Sequence, residues 1–119
     1  MFNFFKIKKQ KRTILEDWHI DDISDFKTIL NTDSIQYVDE DASKIIYFSA
    51  LNYDGNTSSL IDTNINTQTV AEVDNGWCLK GMKKSNKQIL VCVITVNNAE
   101  HIGWAKSFFT AINPRKISN

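Results

Sequence analysis

A single proline and four glycines among 119 residues leave no room for a flexible or proline-rich linker. The chain reads as one folded unit, with length enough for a single core and not for two. Long apolar runs are also missing, and nothing approaches the roughly 20 residues of a membrane span. The opening stretch MFNFFKIKKQKR does not read as a secretory leader. A leader puts its charges before an apolar run of roughly 7–15 residues, whereas here the apolar residues come first and the acidic ILEDWHIDD follows. Cytoplasmic residence is the expectation. Two cysteines in such a chain read as two reduced, buried thiols.

Net charge is absent too: 14 Lys and Arg balance 14 Asp and Glu. The composition therefore makes no general appeal to nucleic acid. The distribution is uneven. Residues 1–12 hold Lys6, Lys8, Lys9, Lys11 and Arg12 with no acid. Residues 13–41 hold Glu16, Asp17, Asp21, Asp22, Asp25, Asp33, Asp39, Glu40 and Asp41 against Lys27 alone. We treat residues 1–12 as a basic, aromatic N-terminal segment and 13–119 as the domain. Phe2, Phe4, Phe5 and Ile7 beside those lysines make a short membrane contact through residues 1–12 an alternative to a frayed or packed end.

The signatures of catalysis are lacking. There is no GxSxG elbow, no phosphate loop and no GxGxxG. His19 and His101 stand 82 positions apart with no shared motif, so no catalytic residue and no cofactor is expected. His19 lies among Glu16, Asp17, Asp21 and Asp22, which is a solvated acidic face before it is a metal site. DDISDFKTILNT lacks the glycine turn of a calcium loop.

What is present is alternation and one helical stripe. Trp18, Ile20 and the following Ile23 suggest a short strand in EDWHIDDI. SDFKTILNTD offers Ser24 as a cap and Phe26, Ile29 and Leu30 at helical spacing, which predicts a short helix. SIQYVDEDASKIIYFSALNYDG reads as a hairpin turning at DEDAS. A strand is expected near Leu60–Ile65, residues 67–74 fit either strand or helix, and Asn75-Gly76 ends an element. In NNAEHIGWAKSFFTAINPRK, Ile102, Ala105, Phe108, Phe109 and Ile112 form an apolar stripe, with Asn98 as cap and Pro114 as stop.

WCLKGMKKSNKQILVCV carries both cysteines. It reads as a hairpin turning near Lys84–Lys87. QILVCVITV shows no alternation, which predicts a central strand buried on both faces and covered by a helix on at least one. Cys78 faces Cys92 only if opposed residue numbers sum to 170, and the spacing matches no CxxC pattern.

DNGWCLKGMKK followed by KQILVCVITVNNAEHIGWAKSFFTAI resembles the ending of the PsbP-like and DcrB-like group of small α+β domains, and SKIIYFSAL resembles one of that group's central strands. The resemblance covers residues 34–113. It implies a sheet flanked by helices, no shared catalytic residues and roles in binding other macromolecules.

The expected fold class is α+β: a single antiparallel β-sheet with helices packed mainly on one face and the C-terminal helix covering the sheet. The expected function is a small, non-catalytic binding or adaptor domain whose partner is another protein. Trp77, Trp104, Asp21, Asp22 and Asp25 are the candidate contact residues. Two alternatives stand beside it. One is an immunity-type inhibitor of a basic toxin. The other is a small-molecule or enzymatic domain with a pocket between the sheet and the C-terminal helix, lined by Trp77, Tyr47, Tyr53 or Trp104 with His101 at its mouth.

Overall fold

The computed structural model describes residues 14–52, 68–85 and 88–115. The strand expected near Leu60–Ile65 and the segment 1–12 lie outside them. Among the described residues the chain forms one six-stranded antiparallel sheet, one two-stranded sheet and one α-helix near the C-terminus. In chain order the strands are β1 (Trp18–His19), β2 (Lys27–Leu30), β3 (Ser34–Val38), β4 (Lys44–Asn52), β5 (Gln68–Val73), β6 (Gly76–Lys84), β7 (Gln88–Val96) and β8 (Asn113–Pro114). A 3-10 turn, Ala99–His101, leads into the helix Ile102–Ala111. The large sheet runs β2-β3-β4-β7-β6-β5, so β4 and β7 are central and β2 and β5 are the edges.

Both expected hairpins are present. In the first, β3 and β4 close through Asp39–Ser43, where one carboxylate organises the turn. Asp39 accepts from the Lys44 backbone N–H at 2.9 Å and from the Ser43 hydroxyl at 2.7 Å. Ala42 completes the turn in the left-handed region, at φ 59°. In the second, β6 and β7 pair from Trp77↔Val96 to Lys84↔Ile89, and the Ser85 N–H donates to the Gln88 carbonyl at 2.8 Å. Opposed residues therefore sum to 173. Cys78 opposes Thr95 and Cys92 opposes Gly81.

The expected helix over 24–33 is not formed. Lys27–Leu30 is instead edge strand β2, paired with β3 from Lys27↔Val38 to Leu30↔Ile35. The local reason is the turn Asn31–Ser34, closed by the Asn31 N–H on the Ser34 carbonyl at 3.0 Å and by the Asn31 side-chain amide on the Ser34 hydroxyl at 3.2 Å. That turn lays Thr28 and Ile29, both β-branched, alongside β3. Residues 67–74 resolve as well: Gln68–Val73 is edge strand β5.

Antiparallel register places alternate residues on opposite faces, so the two faces can be read off the pairs. One carries Ile35, Tyr37, Ile46, Phe48, Ala50, Leu79, Gly81, Leu90, Cys92, Ile94 and Val96. Most of these are fully buried, together with Ala105, Phe108, Phe109 and Ile112 of the C-terminal region and with Trp18. Ring contacts run through this layer: Phe26 stacks on Trp104, Trp104 meets Phe108, and Phe108 meets Phe48 at 6.5 Å. Gly81 leaves room for the Phe109 ring, because a Cβ there would fall 2.5 Å from its Cε1. Gly76 is needed for a different reason, since its Cβ would collide with the Val96 carbonyl and lie 2.9 Å from the Asn97 Cα.

The two-stranded sheet ties the ends of this layer together. Trp18 pairs with Pro114 and His19 with Asn113. The buried Trp18 indole N–H donates to Oε1 of Gln88 at 2.6 Å, and the Gln88 amide donates to Asn52 at 2.9 Å. Arg115 Nε donates to the Trp18 carbonyl at 2.9 Å. Among the described residues no buried side-chain nitrogen or oxygen is left without a partner.

Strand β7 departs from the expectation of burial on both faces. Its even positions, Gln88 to Val96, are buried, whereas Val91, Val93 and Thr95 are only half-buried. The continuous apolar run of QILVCVITV therefore supplies one core face and one partly open apolar face.

Candidate functional site

An open groove of about 750 Å³ lies at the end of the sheet where β4 begins. It is lined by Asp25, Phe26, Lys27, Asp39, Glu40, Asp41, Ser43, Lys44 and His101. Its carboxylates are partly committed to the turn. Asp39 holds Ser43 and Lys44 as described, and Asp41 accepts from the Ser43 N–H at 3.2 Å. The bonds from Ser43 hold the Asp41 carboxyl below the usual carboxylate range. Lys27, Lys44 and His101 stand among the acids, so the groove is mixed in charge. No three His, Cys, Asp or Glu side chains among the described residues converge to hold a metal ion.

His19 and His101 sit at opposite ends of the helix. His19 pairs with Asn113 beyond its C-terminus, and His101 ends the turn before it. Cys78 and Cys92 are both free and buried, and the register turns them to opposite faces of the sheet, which excludes a bond between them without rearranging the backbone. Burial pushes the Cys92 thiol up to about 12, which leaves it protonated and unreactive. Lys83 lies nearby, its ammonium 4.7 Å from the Phe109 ring centre, and burial lowers its pKa.

The seam between helix and sheet, lined by Val70, Trp77, Leu79, Ile94, Val96, Ile102 and Ala105, has no room for a water molecule. The expected ligand pocket is therefore closed at that place. Its proposed lining is also divided: Tyr47 and Trp77 stand on opposite faces of the sheet, and Tyr53 lies outside the described residues.

The residues singled out from the sequence as contacts have these positions. Trp104 is half-buried, with the Phe26 ring on one side and Lys44 Nζ 5.3 Å from its centre. Trp77 is half-buried against the core, on the same face as Leu79. Asp21, Asp22 and Asp25 are exposed, and of these Asp25 lines the groove. Asp22 accepts from the Ser24 N–H at 2.9 Å, which lowers its pKa.

Sequence reasoning missed the second face of the sheet. Its pairs form rows across the strands. One row is Ile29, Gln36, Tyr47, Val93, Lys80 and Thr69, and its neighbour is Lys27, Val38, Ile45, Thr95, Cys78 and Ala71. Beside them lie Ser49, Val91 and Met82, then Leu51, Ile89 and Lys84. Four of the five exposed large hydrophobic residues are here: Leu51 at 59%, Ile29 at 45%, Val73 at 42% and Met82 at 39%. Singly exposed apolar residues are ordinary, but a contiguous set marks a contact surface. The signal was present in QILVCVITV, whose apolar content exceeds what one buried face needs.

No family model matches the chain, and no curated protein matches it. A crystal structure from Bacteroides thetaiotaomicron VPI-5482 is similar, with a TM-score of 0.57 at 11% identity, over 84% of this chain and 46% of that one. This likeness shows the fold alone. The chain spans under half the length of that relative. Among the described residues no helix is long and apolar enough to cross a membrane.

Proposed function

We propose that this chain is a non-catalytic binding domain for another protein, and that it makes the contact through the second face of its large sheet. The observation that supports this reading is the half-open apolar surface running from Ile29 through Tyr47 and Val93 to Met82 and Val73. A sheet buries each apolar face against a further layer, and among the described residues the helix packs on the first face. Binding roles are also what the resemblance to the PsbP-like and DcrB-like domains implies. Cytoplasmic residence goes with this reading.

The test is retention of a partner from native lysate by tagged wild-type protein and by the Leu51→Glu/Met82→Glu variant. Both side chains are exposed, so the variant is expected to unfold within ~1 kcal/mol of wild type. It is expected to lose the partner. Retention equal to wild type removes the open face from the contact.

The acidic groove supports a second reading, an inhibitor of a basic protein. Asp25, Glu40 and Asp41 would meet the partner's cations with fast, salt-sensitive association. Loss of the partner on Asp25→Asn/Glu40→Gln, with no loss on Leu51→Glu/Met82→Glu, favours that reading over the first.

A further inference from the structure

We propose that β5 is an edge for self-association: two copies pair β5 to β5, antiparallel, about a two-fold axis through Val70, and so join their sheets. The pairing is independent of the binding role proposed above. Among the described residues β5 is the last strand on its side of the sheet, and its residues are exposed except for half-buried Val70. The backbone groups on its outer side can be named. The Ser85 N–H bonds the Gln88 carbonyl, and bonded and unbonded pairs alternate along an antiparallel ladder. The odd-numbered residues of β6 therefore bond β7. Gly76, Cys78 and Lys80 bond their opposites on β5, which are Val73, Ala71 and Thr69. Gln68, Val70 and Glu72 are left directing N–H and C=O away from the described sheet.

Natural edges are blunted by Lys, Pro or a bulge. β5, QTVAEV, has none of these, and its register against β6 is unbroken from Gln68↔Gly81 to Val73↔Gly76. The opposite edge offers less. Asn31 bonds Ser34, so on β2 only Thr28 and Leu30 direct their backbone outward. A β5–β2 contact between copies would leave edges open and polymerise, whereas β5–β5 closes. A two-fold axis perpendicular to the sheet requires opposed residues to share a face. With Val70 on the axis, Val70 opposes its own copy, Gln68 opposes Glu72, and Thr69 opposes Ala71. All three outward residues of each strand are then bonded. Glu72 is the one charge on β5, and this register answers it with the amide of Gln68. The two Glu72 side chains stand about 14 Å apart along the strands, beyond the screening length of about 8 Å. A register centred on Ala71 halves that separation. Val70 meets its copy on the face where half-buried Trp77 and Ile102 line the same seam.

The experiment is size exclusion with light scattering on the full chain, at concentrations rising to hundreds of micromolar. A dimer is expected. Val70→Pro deletes the N–H on the axis and leaves the β5–β6 bonds in place, so it is expected to raise the dimer dissociation constant at least tenfold while still unfolding cooperatively in urea. Val70→Cys is expected to give a disulfide-linked dimer with oxidised glutathione, since opposed bonded residues hold their Cα atoms about 5.5 Å apart. Glu72→Cys, about 14 Å from its copy, is expected to give none. A monomer at every concentration overturns the proposal, as does a folded Val70→Pro variant that dimerises like wild type. Species larger than a dimer, or cross-linking from Glu72→Cys equal to that from Val70→Cys, also overturn it. If Val70→Pro does not fold, the two cysteine variants decide.

Discussion

Replacing Gly81 with alanine forces a methyl group into the ring of Phe109. The new Cβ would stand 2.5 Å from Cε1 and 3.2 Å from Cε2, well inside van der Waals contact. The ring has little room to yield, because Phe109 is 1% exposed and the Lys83 ammonium stands over it, 4.7 Å from its centre. Over-packing of a close core typically costs about 1–3 kcal/mol, and the closed surroundings place this case in the upper half, near 2–3 kcal/mol. Equilibrium urea unfolding reads it directly, as a fall in midpoint of roughly 1–2 M at an unchanged slope. Phe109→Leu in the same molecule opens the space. The double variant is therefore expected to be more stable than the sum of the single losses by about 1 kcal/mol or more. A Gly81→Ala protein within ~0.5 kcal/mol of wild type, or strict additivity with Phe109→Leu, refutes the packing argument.

Gln88→Leu strands the buried indole N–H of Trp18 and is expected to cost about 1–3 kcal/mol, partly recovered when Trp18→Phe removes the donor; thermal unfolding of the single and double variants checks this. Ala42 sits at φ 59°, where a side chain costs about 1–2 kcal/mol, while glycine loosens the unfolded chain by about 0.4–1 kcal/mol. Ala42→Gly should thus stabilise by about 0.5–1 kcal/mol, and Ala42→Val should destabilise; chemical unfolding reports both. Cys92 has a folded pKa of about 12 against 9.0 for the ordinary thiol. Its contribution is fully present below pH 9 and is lost as pH rises toward 12, so Cys92→Ala should flatten the fall of stability in that window. In the native protein at pH 8, Cys92 is expected to resist a thiol reagent that titrates two thiols once the chain is unfolded.

Much of the fold was legible because its signals are local. DEDAS turns the β3–β4 hairpin, and the spacing of Ala105, Phe108 and Phe109 marks the helix. The segment 24–33 misled because Phe26, Ile29 and Leu30 mimic a helical stripe. The turn at Asn31–Ser34 decides the matter by offering β2 a partner strand, and pairing is a tertiary gain that spacing does not encode. Residues 68–73 were ambiguous since β5 is an edge strand exposed nearly throughout, with no buried side to impose alternation. Register was hidden as well: the sum of 173 depends on closure at Ser85 and Gln88, and one residue's slip would exchange the faces of Cys78 and Lys83. As for the candidate site, Asp25 and His101 do come to one groove, and β7 signalled a second apolar face without saying what covers it. Continuous apolarity in β7 looks the same whether the outer face meets a layer of this chain or of another.

Val93→Lys tests that distinction most directly. Val93 lies near the centre of the open face, opposite Tyr47 on β4 and Lys80 on β6. If the face is a contact surface, the lysine stem lies along the sheet with its ammonium in water, stability falls by less than ~1.5 kcal/mol, and the partner is lost. A loss of ~3–5 kcal/mol, the cost of an uncompensated charge in a core, would show the face to be interior and contradict the account.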